Sequence, residues 1–152
     1  MPMTSAQNVV LFVDTTSLYK GDTSPIWGRV HLLVNGVAFP DAGWTDIAVG
    51  LAACWVQAVY RLSAGNTDQE LVHFFDGPFA VRLKMNDTGG VQVDCVDGHE
   101  PETIVRSATT SITDLVRNAE SMGRDVIDAA EANKWAFDFD VKCLVGEILG
   151  RY

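Results

Sequence analysis

Four side chains in this sequence have types and positions that could support chemistry. Asp138 and Asp140 alternate with aromatic residues in WAFDFDV, which places the two carboxylates on one side of a strand-like segment, about 7 Å apart. Such a pair could serve hydrolysis or bind a cation. His31 and His73 lie within apolar runs, and they would form an acid–base or metal site only if folding brought them together beside a carboxylate. These four residues are therefore the candidates for an enzyme or small-ligand site.

The short motifs that usually carry catalysis or phosphate binding do not occur. The sequence contains no GxSxG, GxxxxGK, HExxH or GxGxxG pattern, and Gly89-Gly90 is an isolated pair in a turn. Acid–base and metal sites normally need a further group beyond two carboxylates, and the sequence identifies none. We therefore predict no catalytic residue, no metal ligand and no cofactor. A polar face set against aromatic anchors is the simpler interpretation of Asp138 and Asp140.

Side chains suited to protein binding occur in the second apolar run and in a later turn. Trp27, Arg29 and His31 alternate along WGRVHLLV and so share one strand face. Trp and Arg are favoured at interfaces, although Trp27 could equally cover a sheet edge. Asp76 lies in an Asp-Gly-Pro turn, where an aspartate commonly bonds its own backbone but is also exposed for recognition. The predicted partner-binding residues are Trp27, Arg29, His31, Asp76, Asp138 and Asp140.

Apolar runs predict the strands that position these residues. Residues 8–14 and 27–34 have the composition of buried strands, and the polar residues 15–26 between them are predicted to form a loop. Asn35-Gly36 favours a tight hairpin after the second strand. Regular alternation with two intervening turns then predicts a three-stranded antiparallel meander over residues 70–97.

The widest helical stripe runs through residues 41–63. Its apolar residues recur at three- and four-residue spacing, and few charges lie opposite them, which indicates a largely buried helix. Asp41 is suited to cap the N-terminus of this helix. Trp44 and Trp55 lie on the apolar stripe, so we expect both in the core.

The C-terminal part of the chain is predicted to be mostly helical. A second apolar stripe begins after Pro101 and continues to Gly123, which would end or kink the helix. Residues 135–141 alternate as in a strand, whereas residues 141–149 have helical spacing and Asp140 is suited to cap them. Whether residues 135–141 form strand or helix stays open.

The order of these elements predicts the fold class. Strands come first, followed by a helix, three strands and further helices, without the regular alternation of a doubly wound sheet. We therefore expect an α+β fold, with an antiparallel sheet and helices packed on one face. The 152 residues, of which 47% are hydrophobic and 20% charged, suit one globular domain over residues 1–152.

Cysteine usage and the N-terminus predict the compartment. Cys54, Cys95 and Cys143 are odd in number, widely spaced and set among apolar residues, as expected for buried, reduced thiols. The start, MPMTSAQNVVLFVD, has no basic residue before its apolar segment, unlike a signal peptide. No apolar run approaches the roughly 20 residues that a transmembrane helix needs. We therefore predict a cytoplasmic protein.

Acidic side chains outnumber basic ones. There are 20 Asp and Glu against 11 Lys and Arg, and the formal net charge is −9. A negative surface repels nucleic-acid phosphates and anionic lipids, so neither is an expected partner. It attracts a basic protein, although solubility alone would also explain it.

Two segments of the chain resemble a known kind of protein. They are WGRVHLLVNGVAFPDAGWTDIAVGLAACWVQAVYRL, residues 27–62, and HFFDGPFAVRL, residues 73–83. They resemble small bacterial proteins in which Pro-x-x-Gly-Trp-Thr-Asp leads into an aromatic-rich helix and a Phe-x-Asp-Gly-Pro hairpin follows. Proteins of this kind look like immunity proteins of contact-dependent or polymorphic toxin systems. The resemblance implies that the protein acts beside a toxin in such a system, but it assigns a function to no individual residue.

Three functions are consistent with these observations. The leading hypothesis is a non-enzymatic, immunity-type inhibitor that binds and neutralises a cognate, basic toxin domain. The alternative is a small enzyme or small-ligand-binding protein whose cleft lies between sheet and helices and uses the histidines and carboxylates named above. The third is a structural subunit that forms a homodimer through an exposed aromatic face.

Overall fold

The described part of the chain forms two antiparallel sheets and three α-helices. The computed structural model describes residues 8–22 and 25–150, so residues 1–7, on which the signal-peptide prediction depends, lie outside the described part. The predicted α+β class is confirmed, with helices packing against the sheets. The strands form two sheets, however, and not the single sheet that we expected.

The first sheet is organised around one long central strand. Its members are β1 (Val9–Val13), β2 (Tyr19–Lys20), β3 (Ile26–Val34), β4 (Val37–Phe39) and β5 (Thr45–Asp46). The other four strands all pair antiparallel with β3. Asn35 and Gly36 have φ values of 53° and 83°, which confirms the hairpin predicted between β3 and β4. The predicted loop over residues 15–26 was partly wrong, because it contains β2 and a 3-10 turn at Thr15–Ser17.

The second sheet is a meander of four strands in chain order. Its members are β6 (Gln69–His73), β7 (Phe79–Met85), β8 (Gly90–Asp97) and β9 (Thr103–Ser111). The first three confirm the predicted meander. The fourth corrects our prediction of a helix that starts after Pro101. Its β-branched residues favour a strand, and the free edge of β8 provides a partner that no helical periodicity reveals.

The helices begin later than their apolar stripes suggest. They are α1 (Ala48–Ser63), α2 (Ile112–Ala132) and α3 (Phe139–Val145), and a π-helical segment (Gly146–Gly150) follows α3. The prediction that a helix starts at Asp41 was wrong. The Trp44 carbonyl accepts a hydrogen bond from the Val30 N–H (2.9 Å), and β5 pairs with β3, so this stretch is committed to the sheet. The Asp41 carboxylate instead accepts from the neighbouring Ala42 N–H.

Two further details of the C-terminal helices differ from the predictions. Helix α2 runs without interruption through Gly123, where a Cβ would lie 2.7 Å from the Ile148 side chain, so the glycine serves close packing. Helix α3 is capped by Asp138 and not by Asp140. Residues 135–138 form a turn, which settles the ambiguity of residues 135–141 as turn followed by helix.

Helix α1 forms the centre of the core. It contacts β3 of the first sheet and β6 of the second, and it packs against α2 and α3. Trp55 is buried as predicted, whereas Trp44 is half-buried and packs on Phe74 and Phe79 ahead of the helix. The expectation of three buried thiols was wrong for Cys54, which is exposed on the side of α1 that faces α3. Within the described residues, no helix has both the length and the apolar composition needed to cross a membrane.

Candidate functional site

A cleft between α1 and α3 is the strongest candidate for a site. We call it the α1–α3 cleft; its volume is about 300 Å³. It is lined by Gly50, Ala53, Cys54, Gln57, Phe75, Phe139, Asp140, Cys143 and Glu147. One predicted site residue, Asp140, thus lies in the cleft, and Asp76 and Asp138 are chain neighbours of lining residues.

Asp138 fixes the end of α3 that forms the cleft wall. Its Oδ1 accepts from the backbone N–H groups of Asp140 (2.9 Å) and Val141 (3.3 Å), which otherwise lack partners at a helix N-terminus. Its Oδ2 lies 3.6 Å from Lys20 Nζ, and both side chains are largely shielded from solvent. Asp138 therefore positions Phe139 and Asp140 and does not itself line the cleft.

Gly50 lets α3 approach α1 closely at the base of the cleft. A Cβ at this position would lie 3.0 Å from Asp140 Oδ2. One turn further along both helices, Cys54 and Cys143 line the same cleft, and Gln57 and Glu147 follow. The two helices therefore run in the same direction and place one carboxylate at each end of the cleft.

Asp140 is held in an unfavourable electrostatic environment. Burial raises the pKa of its carboxyl, and the neighbouring Asp138 carboxylate raises it further. An acid kept in a position that disfavours its ionised form, inside a cleft, is typical of functional sites. A cationic group brought into the cleft would remove this penalty.

We predict that Asp140→Asn stabilises the isolated protein at pH 7. Because the folded-state pKa of Asp140 is raised, ionised Asp140 disfavours the folded state at neutral pH, and this penalty disappears as pH falls through that pKa. Partial exposure screens the effect, so the expected gain is at most about 1 kcal/mol.

Urea unfolding at pH 7 and at pH 4 measures this gain and its pH dependence. The gain should be larger at pH 7 than at pH 4. The exposed residue Asp87 provides a control, because Asp87→Asn should change stability at neither pH. An Asp140→Asn protein that is less stable than wild type at pH 7 would contradict the predicted sign.

Two phenylalanines expose their rings at the cleft. Phe75 is 52% exposed and Phe139 is 76% exposed, far more than apolar side chains that serve only the core. Phe139 comes from the first turn of α3, whereas Phe75 comes from the chain between β6 and β7. The cleft therefore combines carboxylates with aromatic rings, a composition suited to bind Lys or Arg side chains.

The Asp76 turn holds Phe75 in place through its backbone. The Asp76 N–H donates to Asp46 Oδ2 (3.2 Å), and Asp46 is fully buried at the start of α1. Gly77 adopts a φ of +74°, as the turn requires. The backbone hydrogen bond of Asp76 is thus structural, while its exposed carboxylate adds negative charge next to Phe75.

The thiols at the cleft are not activated nucleophiles. Burial, followed by the Asp140 charge, raises the pKa of the Cys54 thiol. The same two causes, with Glu147 next, raise the pKa of Cys143. In the core, burial raises the pKa of Cys95 to about 12. All three thiols are therefore protonated at neutral pH, whereas the nucleophilic form of cysteine is the thiolate.

The remaining predicted binding residues lie on a different surface. Trp27, Arg29 and His31 share the outer face of β3, as the alternation predicts, and none of them lines the α1–α3 cleft. Arg29 is exposed and its guanidinium lies 2.6 Å from an oxygen of Asp14. Trp27 is half-buried opposite Tyr19 of β2.

The histidines do not join the candidate site. His31 is buried beside Phe12, with ring centroids 5.2 Å apart, and burial lowers its pKa although Asp41 opposes this shift. His73 is exposed in β6, in the other sheet. Across residues 8–22 and 25–150, no group of three or more His, Cys, Asp or Glu side chains is arranged to hold a metal ion.

Sequence reasoning missed most of the cleft. Phe75, Phe139, Gly50 and Glu147 were not predicted as site residues. The alternation in WAFDFDV placed Phe139 on the face opposite Asp140, yet both line the cleft because this segment turns into a helix. One signal was available in the sequence. The apolar residues around Asp76-Gly77 extend beyond the ends of β6 and β7, so that Phe75 lies outside both strands.

Comparison of the chain with protein-family models, with curated proteins and with solved structures gave no significant match.

Proposed function

We propose that this protein is a non-enzymatic binding protein that holds a basic segment of a partner protein in the α1–α3 cleft. We further propose that the partner is a bacterial toxin domain, which the protein neutralises as an immunity protein does. The observation that supports binding is the lining of the cleft, where Asp140 and Glu147 stand beside the exposed rings of Phe75 and Phe139.

The lining suits a cationic side chain because it combines carboxylates with exposed aromatic rings. None of the described residues that line the cleft is basic, and Arg61, which interacts electrostatically with Glu147 from outside the lining, is already paired with Glu70. A Lys or Arg side chain over an aromatic ring contributes about 0.5–1 kcal/mol at exposed sites and more when desolvated. The ion pair would also offset the penalty that burial and Asp138 impose on Asp140.

The charge of the whole chain supports a basic partner. A net charge of −9 accelerates association with a positively charged protein and disfavours acidic competitors. Toxin domains that act on nucleic acids carry basic surfaces, since phosphate contacts need Lys and Arg. The resemblance of residues 27–62 and 73–83 to immunity-type proteins supplies the toxin part of the proposal.

A pull-down with a matched pair of variants tests the proposal. Tagged wild type should retain a basic protein at low salt and release it at high salt, because screening weakens exposed charge pairs. The double variant Phe139→Ala/Asp140→Asn should bind the purified partner about 100-fold more weakly, because it loses both an aromatic contact and the neighbouring negative charge. Tyr19→Ala/Asp22→Asn removes an exposed ring and an exposed carboxylate elsewhere, and should bind normally.

Two results would overturn the proposal at different levels. If the cleft variant binds the partner as tightly as wild type, the cleft is not the binding site. If expression of the partner alone does not slow bacterial growth, or if co-expression of wild type does not restore growth, the immunity function is wrong even if the cleft binds.

A further inference from the structure

A second groove lies between the edge strand β1 and helix α2. It has a volume of about 620 Å³, and one wall is formed by residues 10–15. The other wall consists of α2 residues at three- and four-residue spacing, which therefore share one helix face. These are Asn118, Ser121, Met122, Asp125, Asp128 and Ala129. We call this feature the β1–α2 groove.

The pairing of β1 with β3 determines which backbone groups face the groove. The Asp14 N–H donates to the Arg29 carbonyl (3.0 Å), and the Asn35 N–H donates to the Asn8 carbonyl (2.8 Å). In an antiparallel pair the bonded positions alternate, so the even-numbered residues of β1 bond to β3. The backbone groups of the odd-numbered residues consequently point away from β3.

A contact from α2 supports this assignment independently. The side-chain amide of Asn118 donates to the carbonyl of Val9 (3.4 Å), an odd-numbered residue, from the side opposite β3. Leu11 and Val13, which also line the groove, therefore present their backbone N–H and C=O groups to it. Although their side chains are buried, β3 is the only described strand that pairs with β1, so their backbone provides an edge on which a further strand can form.

The charges along the groove select the occupant. Asp125 and Asp128 are exposed on the α2 wall, and Asp14 lies at the end of β1, where Arg29 pairs with it. No lining residue in the described part of the chain is basic. A second copy of this chain would bring the same carboxylates against each other, whereas a basic segment would neutralise them.

We infer that the β1–α2 groove binds an extended basic segment of a partner protein, which adds to β1 as a new antiparallel or parallel strand. Main-chain hydrogen bonds to Leu11 and Val13 supply affinity, and Asp125 and Asp128 select Lys or Arg at alternate positions of the segment. A groove between an edge strand and a helix is a recurring place for such β-strand addition. The inference does not depend on the α1–α3 cleft or on the identity of a toxin.

Hydrogen exchange with a defined peptide tests this inference. The probe is a seven-residue peptide of alternating Lys and Val, capped at both ends, and amide exchange of the full chain is followed by NMR. Without peptide, the amides of Leu11 and Val13 should exchange faster than those of Val10 and Phe12, which bond to β3. Saturating peptide should slow exchange at Leu11 and Val13 by at least about tenfold and leave Val10 and Phe12 unchanged.

Two matched controls separate strand addition from simple charge attraction. The same peptide, N-methylated on every residue, keeps its charge but has no N–H group on either edge to complete the ladder, and it should not protect Leu11 or Val13. Asp128→Lys should weaken binding of the unmodified peptide by about tenfold, equivalent to 1.4 kcal/mol. Glu131→Lys makes the same charge change on α2 outside the groove and should have a much smaller effect.

Several outcomes would overturn the inference. They are no protection by the peptide, equal protection by its fully N-methylated form, or equal loss of affinity in the two lysine variants. Protection of Leu11 and Val13 without peptide would assign the edge to another occupant: to a second copy if the molecular mass doubles, and to another part of the same chain if it does not. Because the probe contains no toxin, failure here leaves the proposed function standing, and the reverse also holds.

Discussion

Replacing Asp46 by alanine is expected to lower the free energy of unfolding by about 3–5 kcal/mol, enough to unfold much of a marginally stable domain. Asp46 is the last residue of β5, just before α1, and is fully buried. Its carboxylate accepts from the Trp44 indole N–H (3.0 Å), the Ile47 N–H (2.7 Å) and the Asp76 N–H (3.2 Å). Alanine would leave these three donors without their acceptor, and each buried unsatisfied donor costs about 1–3 kcal/mol.

Urea unfolding at pH 7 measures this effect, and two variants calibrate it. Asp46→Asn keeps the shape but replaces one acceptor oxygen by a donor, so its loss should be smaller than that of alanine. Asp41→Ala removes an exposed carboxylate that, among the described residues, accepts only from its neighbour Ala42, and should cost less than about 1 kcal/mol. If the free energy of unfolding of Asp46→Ala lies within about 1 kcal/mol of the wild-type value, the hydrogen bonds of Asp46 do not stabilise the contact between the Asp76 turn and the start of α1.

The second large effect concerns the turn that Asp46 holds. Gly77→Ala is expected to destabilise the protein by about 2–4 kcal/mol, through two separate causes. The φ of +74° disfavours any residue with a Cβ. In addition, a Cβ here would lie 3.1 Å from both the Trp44 and Phe79 rings, which pack edge to face with centroids 5.2 Å apart.

Two other glycines separate these causes. Gly65 and Gly89 have similar φ values, +78° and +82°, but a Cβ at either position would meet no atom within 4 Å. Their alanine variants should therefore show only the backbone cost, about 1–2 kcal/mol. If Gly77→Ala costs no more than these two in thermal or urea unfolding, the crowding against Trp44 and Phe79 contributes nothing.

Both variants also bear on the proposed binding site. Phe75 directly precedes Asp76 and Gly77, so loosening the turn should displace one aromatic wall of the α1–α3 cleft. The same variants should then weaken binding of the basic partner, even under conditions where the protein remains folded. Asp41→Ala and Gly65→Ala, which lie away from the cleft lining, serve as controls for that measurement as well.

Local sequence signals predicted the elements whose partners are close in the chain. The β3–β4 hairpin follows from Asn35-Gly36, and the β6–β7 hairpin follows from alternation on either side of Asp76-Gly77. Such hairpins are specified by turn residues and by a two-residue period, both of which are visible in a few consecutive residues. The strand β3 was predicted within one residue for the same reason.

Two elements whose strand pairing is concealed by helical apolar spacing were predicted wrongly. Residues 103–111 have helical apolar spacing but form β9, since β8 offers its edge and the β-branched side chains fit a strand. Residues 45–46 extend the apolar stripe of α1 but pair with β3, which delays the helix to Ala48. In both cases a tertiary contact outweighs a helix propensity that differs little among these residues.

The sequence by itself determined the α+β class, three strands of the meander and the net negative charge, and it named Asp140 among the candidate binding residues. Only the tertiary structure decided that Asp140 lies in a cleft with Phe75 and Glu147, whereas Trp27 and His31 lie on another face. The reason is physical: Gly50, Phe75 and Asp140 come from three distant parts of the chain. Their meeting depends on the packing of α3 against α1 and on the hydrogen bond from Asp76 to Asp46, and no local pattern specifies either contact.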